Sequence, residues 1–97
     1  MHFPIEAFQT ALRLALRARQ QLALGRAIAA TDADQAQEHY LEAYDAAREA
    51  GLYCGRHDLP MPWALQQVPA LRVAFEEAES EGREEREAEV LDESVTA

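Results

Sequence analysis

The chain has no lysine and no asparagine, one cysteine, four glycines and four prolines in 97 residues. Each scarcity excludes something. Without lysine there is no Walker-type phosphate loop, and no glycine-rich cradle stands in for one. A lone cysteine, Cys54, cannot build an internal disulfide framework and fits a reducing compartment. No apolar run approaches the roughly 20 residues of a membrane span. The opening Met1-His2-Phe3-Pro4-Ile5-Glu6 lacks the basic and long apolar regions of a secretory signal. The expected setting is therefore cytoplasmic, with no membrane partner. Val, Ile and Thr are scarce, which argues against a sheet. Positive charge is short as well: nine Arg face eighteen Asp plus Glu, for a net charge of -9, which excludes a protein that coats nucleic acid directly.

What remains is helix-forming. Twenty residues are Ala, and Leu, Arg, Glu and Gln make up much of the rest. Ala with Arg in place of Lys is what GC-rich coding sequence produces, so a GC-rich bacterium or its phage is the expected source. The length suits one domain. Charge is unevenly spread: residues 1–30 carry +3, residues 31–60 carry -5 and residues 61–97 carry -7. A basic first helix is thus expected beside an acidic remainder.

Pro4 suits a first helical turn, where its missing N–H is no loss. Ile5, Phe8, Leu12, Ala15 and Leu16 recur at helical spacing and predict a helix from about residue 4 to 29. Thr31-Asp32-Ala33-Asp34 reads as a stop and a new N-cap. A second helix follows from about 33 to 50, with Ala33, Ala36, Tyr40, Ala43, Tyr44 and Ala47 as its apolar stripe, ended by Gly51-Leu52. Residues 52–62 read as a loop. Pro60 and Pro62 set an extended approach to a third segment, and Pro69 breaks that segment into a short turn and a helix reaching about residue 80. From Glu76 to Glu93, ten acids in eighteen residues leave little to bury. The expected fold is all-α: an antiparallel helical hairpin plus a kinked third helix, a small three-helix bundle over residues 1–80. An acidic C-terminal tail, residues 81–97, follows as a frayed helix or disordered segment.

Residues 24–47 resemble the helix-turn-helix of a tetratricopeptide repeat. Leu24-Gly25, Ala27 and Ile28 match its first helix, and Ala36, Tyr40 and Ala43 its second. At a 31-residue offset, Tyr40, Ala43, Tyr44, Ala47 and Gly51 line up with Leu71, Ala74, Phe75, Ala78 and Gly82. The resemblance implies protein binding rather than chemistry.

Chemistry has little to work with. Cys54, His57 and Asp58 are the one nucleophile–base grouping, and they match no catalytic signature. Cys54 and His57 also have the spacing of half a zinc site, but a structural site needs four ligands and only His2 and His39 remain as soft candidates. No catalytic, metal or cofactor site is expected.

Recognition is the better prospect. Asp34, Glu38, Glu42, Asp45 and Glu49, spaced four, four, three and four, form one acidic rail along the second helix. Arg19 and Arg26 fall within the apolar stripe of the first helix, where either their stems cover apolar surface while their heads reach an acid such as Glu42 or Glu49, or they stand exposed beside Leu22 as partner-binding interface arginines. Trp63 reads as a plug joining the third helix to the hairpin; left exposed, it becomes a partner-binding anchor. These general features resemble the small acidic proteins with which phages block host machinery, anti-CRISPR inhibitors among them. The expected function is a small non-enzymatic protein that binds and regulates or inhibits a larger cytoplasmic protein through a basic or apolar surface. A self-associating accessory subunit, such as a homodimer, is the first alternative. A nucleic-acid mimic filling a basic groove is the second.

Overall fold

The computed structural model describes the backbone of residues 5–96 and the side chains of residues 5–91. It is all-α, with α1 (Ile5–Ile28), α2 (Ala33–His57), a one-turn α3 (Trp63–Gln66) and α4 (Pro69–Thr96). The expected role of Pro4 falls outside these residues.

The first turn is made as the sequence suggests. Asp32 is the N-cap of α2, its carboxylate accepting the Gln35 N–H at 3.0 Å. α1 then packs antiparallel on α2: Gln21 meets His39, and Gly25 lies under Tyr40 and Ala36. The buried positions of α1 are Ala11, Ala15, Ala18, Leu22 and Gly25, and those facing it on α2 include Ala36, Ala43, Ala47, Ala50 and Cys54. Both series step by three and four residues, or sevens, which is the spacing of a coiled-coil seam. Here the seam is built from small side chains, so the two backbones can approach closely. The expected stripe of α1 is corrected accordingly: Ile5 and Leu16 are exposed, while Phe8 and Leu12 are only half-buried. On α2, Ala33 and Tyr44 are exposed.

α2 does not stop at Gly51-Leu52. Both Gly51 and Gly55 are helical and buried, and neither has positive φ. The helix ends seven residues later than expected, at Asp58, which takes the left-handed conformation (φ 54°) of a helix stop that Gly51 was expected to provide. Leu59 N–H closes the end on Cys54 O at 2.9 Å, and the Leu59 side chain is buried. An αL residue followed by a leucine is the expected helix-ending pair, made by a different pair of residues.

The reason lies in α4. A Cβ on Gly51 would overlap the Phe75 carbonyl oxygen, one on Gly55 the Glu79 carbonyl oxygen, and one on Gly82 of α4 the Leu52 carbonyl oxygen. The two helices touch backbone to backbone at these points. Gly51 meets Phe75 and Ala78, while Gly55 meets Glu79 and Arg83. Residue numbers rise together, so α2 and α4 run parallel. Parallel neighbours need a crossover, and residues 58–68 supply it. Leu59, Pro62, Ala64 and Leu65 of this strap are buried, and α3 packs against both α1 and α4. The largest buried side chains are Phe75, Leu65 and Leu71, so the apolar weight of the core lies around the strap.

Pro69 opens α4 at a first-turn position, and the helix then continues unbroken to Thr96, past the expected end near residue 80. The acidic segment is thus helical over residues 81–96, with Ala97 outside the described residues. Since Gly82 lies against Leu52 and Arg56, the last turns of α4 run beyond the end of α2. The molecule is accordingly long, 59 × 25 × 18 Å, with a radius of gyration of 15.7 Å. A compact domain of this length would have about 12.5 Å.

Replacing Gly51 or Gly55 by Ala reverses the usual sign of a helical Gly→Ala change. Propensity favours Ala by up to about 1 kcal/mol, but overpacking costs about 1–3 kcal/mol. Thermal melts by circular dichroism should show Tm falling by several degrees in each variant. A rise in Tm would contradict the backbone contact described here.

Candidate functional site

Cys54 sits on the seam side of α2, 1% exposed, with its Sγ donating to the Pro60 carbonyl at 3.8 Å. Burial, assisted by the nearby Glu79 charge, pushes its thiol up to about 12. A neutral buried thiol is neither a nucleophile nor a metal ligand. His57 is exposed and lies against Tyr53, ring centroids 4.3 Å apart, and Asp58 pairs with Arg86 at 3.6 Å. Each of the three chemistry-bearing residues around the strap therefore has a structural contact of its own. His39 Nδ1–H donates to Gln21 Oε1 at 2.6 Å, linking α2 to α1. Among the described residues no three of His, Cys, Asp and Glu converge on a metal site. Among the described residues no helix is long and apolar enough to cross a membrane.

The rail is where periodicity places it. Asp34, Glu38, Glu42, Asp45 and Glu49 are all exposed on α2. Gly51, Gly55 and Leu52 face α4, and Ala43, Ala47 and Ala50 face α1, which leaves the rail on the remaining open side. None of the five makes an ion pair within 4.0 Å among the described residues.

The arginines divide by helix. Arg48 pairs with Glu81 at 3.4 Å, Arg56 with Glu85 at 2.6 Å and Arg86 with Asp58 at 3.6 Å, which ties α4 to α2 and its C-terminal turn. Arg72–Glu76 and Arg83–Glu79 pair within α4. The Arg56–Glu85 bond holds the Glu85 carboxyl below its usual range and the Arg56 guanidinium above its own. Four of the five pairs are open to solvent on both sides, and in the fifth Arg83 is exposed while Glu79 is half-buried, so each contributes at most about 1 kcal/mol. The other four arginines, Arg13, Arg17, Arg19 and Arg26, are exposed on α1 and form no such pair among the described residues. The expected reach of Arg19 and Arg26 to Glu42 or Glu49 does not occur.

Arg17 comes nearest to the rail. With Glu42, Asp45, Ala46 and Glu49 it lines a shallow cavity of about 180 Å³. Next to it, Arg17 also joins Thr10, Arg13, Leu14 and Gln20 around a second open groove. Helical spacing places Arg13, Arg17 and Gln20 on one side of α1, either solvated or paired with α2; the structure brings them to one groove, and among the described residues neither arginine forms an ion pair.

Trp63 is not a core plug. It is 58% exposed, while Pro62 before it and Ala64 and Leu65 after it are buried. The indole is thus held outward on a strap anchored on both sides. Leu41, Tyr44 and Val73 are further exposed apolar side chains on α2 and α4.

Comparison with protein families, curated proteins and solved structures finds no match to the chain. The tetratricopeptide-like spacing is not accompanied by a repeat. α1 and α2, of 24 and 25 residues, overrun a unit of about 34 residues. The 31-residue echo corresponds to the small-residue faces that α2 and α4 turn toward each other, as Gly51 on Ala78 and Gly82 on Leu52 show.

A raised thiol pKa has two readable consequences. Cys54 should resist alkylation at about pH 8 in the folded protein and react fully once unfolded. Its neutral form is favoured by the fold, so its contribution to stability is complete below the ordinary thiol value of 9.0 and is lost as pH rises toward about 12. Denaturant midpoints from pH 8 to 11 should therefore fall less steeply in Cys54→Ala than in the parent chain. Equal slopes would contradict the burial of the thiol.

Proposed function

We propose that the protein is a small, non-enzymatic, cytoplasmic binding protein that regulates or inhibits a larger protein, and that Trp63 is its anchor. The observation that carries this reading is the outward indole on an anchored strap. A chain of this size has few large apolar groups and gains about 1.5–3 kcal/mol by burying one. Leaving its one tryptophan in water while Pro62, Ala64 and Leu65 are buried favours a partner as the place where it is covered. Tryptophan and arginine are the residue types most enriched at binding hot spots. Arg19 and Arg26 are exposed on α1 and form no ion pair among the described residues, so they too are free to meet a partner. The free thiol of Cys54 agrees with a reducing compartment.

The acidic rail favours the mimic reading less strongly. Five charges along the roughly 22 Å from Asp34 to Glu49 are spaced about 5.6 Å apart on average, sparser than the about one per 3.4 Å of a nucleic-acid strand. Mimicry predicts that DNA or RNA competes with the protein for its partner, and that reversing charge at Glu38 and Glu42 abolishes binding.

The test uses the single tryptophan twice. Free protein should show red-shifted emission that acrylamide quenches readily. A pull-down from a GC-rich bacterial lysate, washed at about 0.5 M salt where surface charge is screened, should retain one stoichiometric partner. The purified partner should shift Trp63 emission to the blue. Trp63→Ala should keep its Tm and lose at least tenfold in affinity, a hot-spot effect of about 1.4 kcal/mol or more. Unchanged binding by Trp63→Ala would remove the anchor, and loss of the partner at high salt would turn the reading toward the rail.

A further inference from the structure

The face of the α1–α2 hairpin that carries Arg17 and Asp45 is divided lengthwise by charge. Arg13 and Arg17 form its α1 edge, and Glu42, Asp45 and Glu49 its α2 edge. The groove floor between them holds Leu14 and Ala46. Ala46 lies nine residues from Gly55, or about 180° around the helix. The face is therefore on the opposite side of α2 from α4. Every arginine outside α1 lies within 4.0 Å of a carboxylate. Here both signs are present on one surface, and among the described residues none of these charges is paired.

We infer that this face is a two-fold interface and that its occupant is a second copy of the chain. The argument is charge complementarity combined with symmetry. Two copies of one flat face can be related by a two-fold axis lying in the interface, either across the helices or along them. An axis across the helices sets α1 on α1 and α2 on α2, so arginines oppose arginines and acids oppose acids. An axis along the helices keeps each residue at its own height and sets α1 of one copy on α2 of the other. Arg17 shares its height with Asp45 on the same cavity, and Arg13, one turn away along antiparallel helices, shares its height with Glu49. The second arrangement thus places Arg13 and Arg17 of each copy on Glu49 and Asp45 of the other, twice over. It is closed and isologous and makes an antiparallel four-helix arrangement. A face about 36 Å long and two helices, or about 20 Å, wide offers about 700 Å² per copy, close to the about 800 Å² per partner of a stable complex. α4 stays on the far side, so the interface does not depend on the role proposed for Trp63.

The test is the mass in solution of the whole chain, by sedimentation equilibrium, with no other protein present. The wild-type chain should run at twice its 10.9 kDa chain mass at about 0.05 M salt and dissociate more readily at about 0.5 M. Arg13→Glu with Arg17→Glu should run as a monomer, and so should Asp45→Arg with Glu49→Arg, each with wild-type helicity. Mixing the two variants should restore the dimer, because each then offers the other complementary edges at both sites. A monomeric wild-type chain would overturn the inference. So would variants that remain dimeric alone, or two folded variants that stay monomeric when mixed.

Discussion

The backbone contact between α2 and α4 is the constraint on which the rest of the molecule depends. Helices meet this closely only where no side chain stands between them, and Gly51, Gly55 and Gly82 clear the space. Because the two helices run parallel, the chain must travel back along the bundle between them. That journey creates the strap, and the strap in turn supplies Leu59, Pro62 and Leu65 to the core. The register set by Gly82 on Leu52 carries the last turns of α4 past the end of α2. Extending an acidic helix into water costs little burial, since the residues following Gly82 in the buried series are Glu85, Arg86 and Glu89.

The same contact partitions the charge. α4 brings most of the acid excess against α2, and the arginines of α2 answer it at Glu81 and Glu85. Among the described residues nothing comparable reaches α1, whose arginines stay unpaired on a hairpin that α4 flanks from the other side. Surface ion pairs are weak, so this layout adds little to stability. It decides instead which surfaces remain to attract something else.

The hairpin was legible in sequence because its signals are local. The Asp32 cap, the Ala spacing and the acidic rail all lie within a few turns of one helix. The end of α2 was not. Gly51-Leu52 has the chemistry of a helix stop, and only the carbonyl of Phe75, twenty-four positions along the chain, keeps Gly51 inside the helix. The stripe of α1 misled for a related reason. Periodicity weighted by hydrophobic size selects Ile5, Phe8, Leu12 and Leu16 beside Ala15, whereas close packing keeps Ala15 and adds the equally small Ala11 and Ala18. The outward turn of Trp63 was equally out of reach, because a tryptophan amid buried neighbours reads locally as core.

The sequence by itself determined that this chain is helical, where its first turn falls, that one helix is basic and the remainder acidic, and that Cys54 has no thiol partner for a disulfide. Propensity, capping and charge are properties of neighbouring residues and need no fold to be expressed. The tertiary structure alone decided that α4 runs parallel to α2, that Gly51 serves contact rather than termination, and which of nine arginines form no ion pair among the described residues. Those outcomes depend on which backbones come within touching distance, and that distance is set by side chains far apart in the chain.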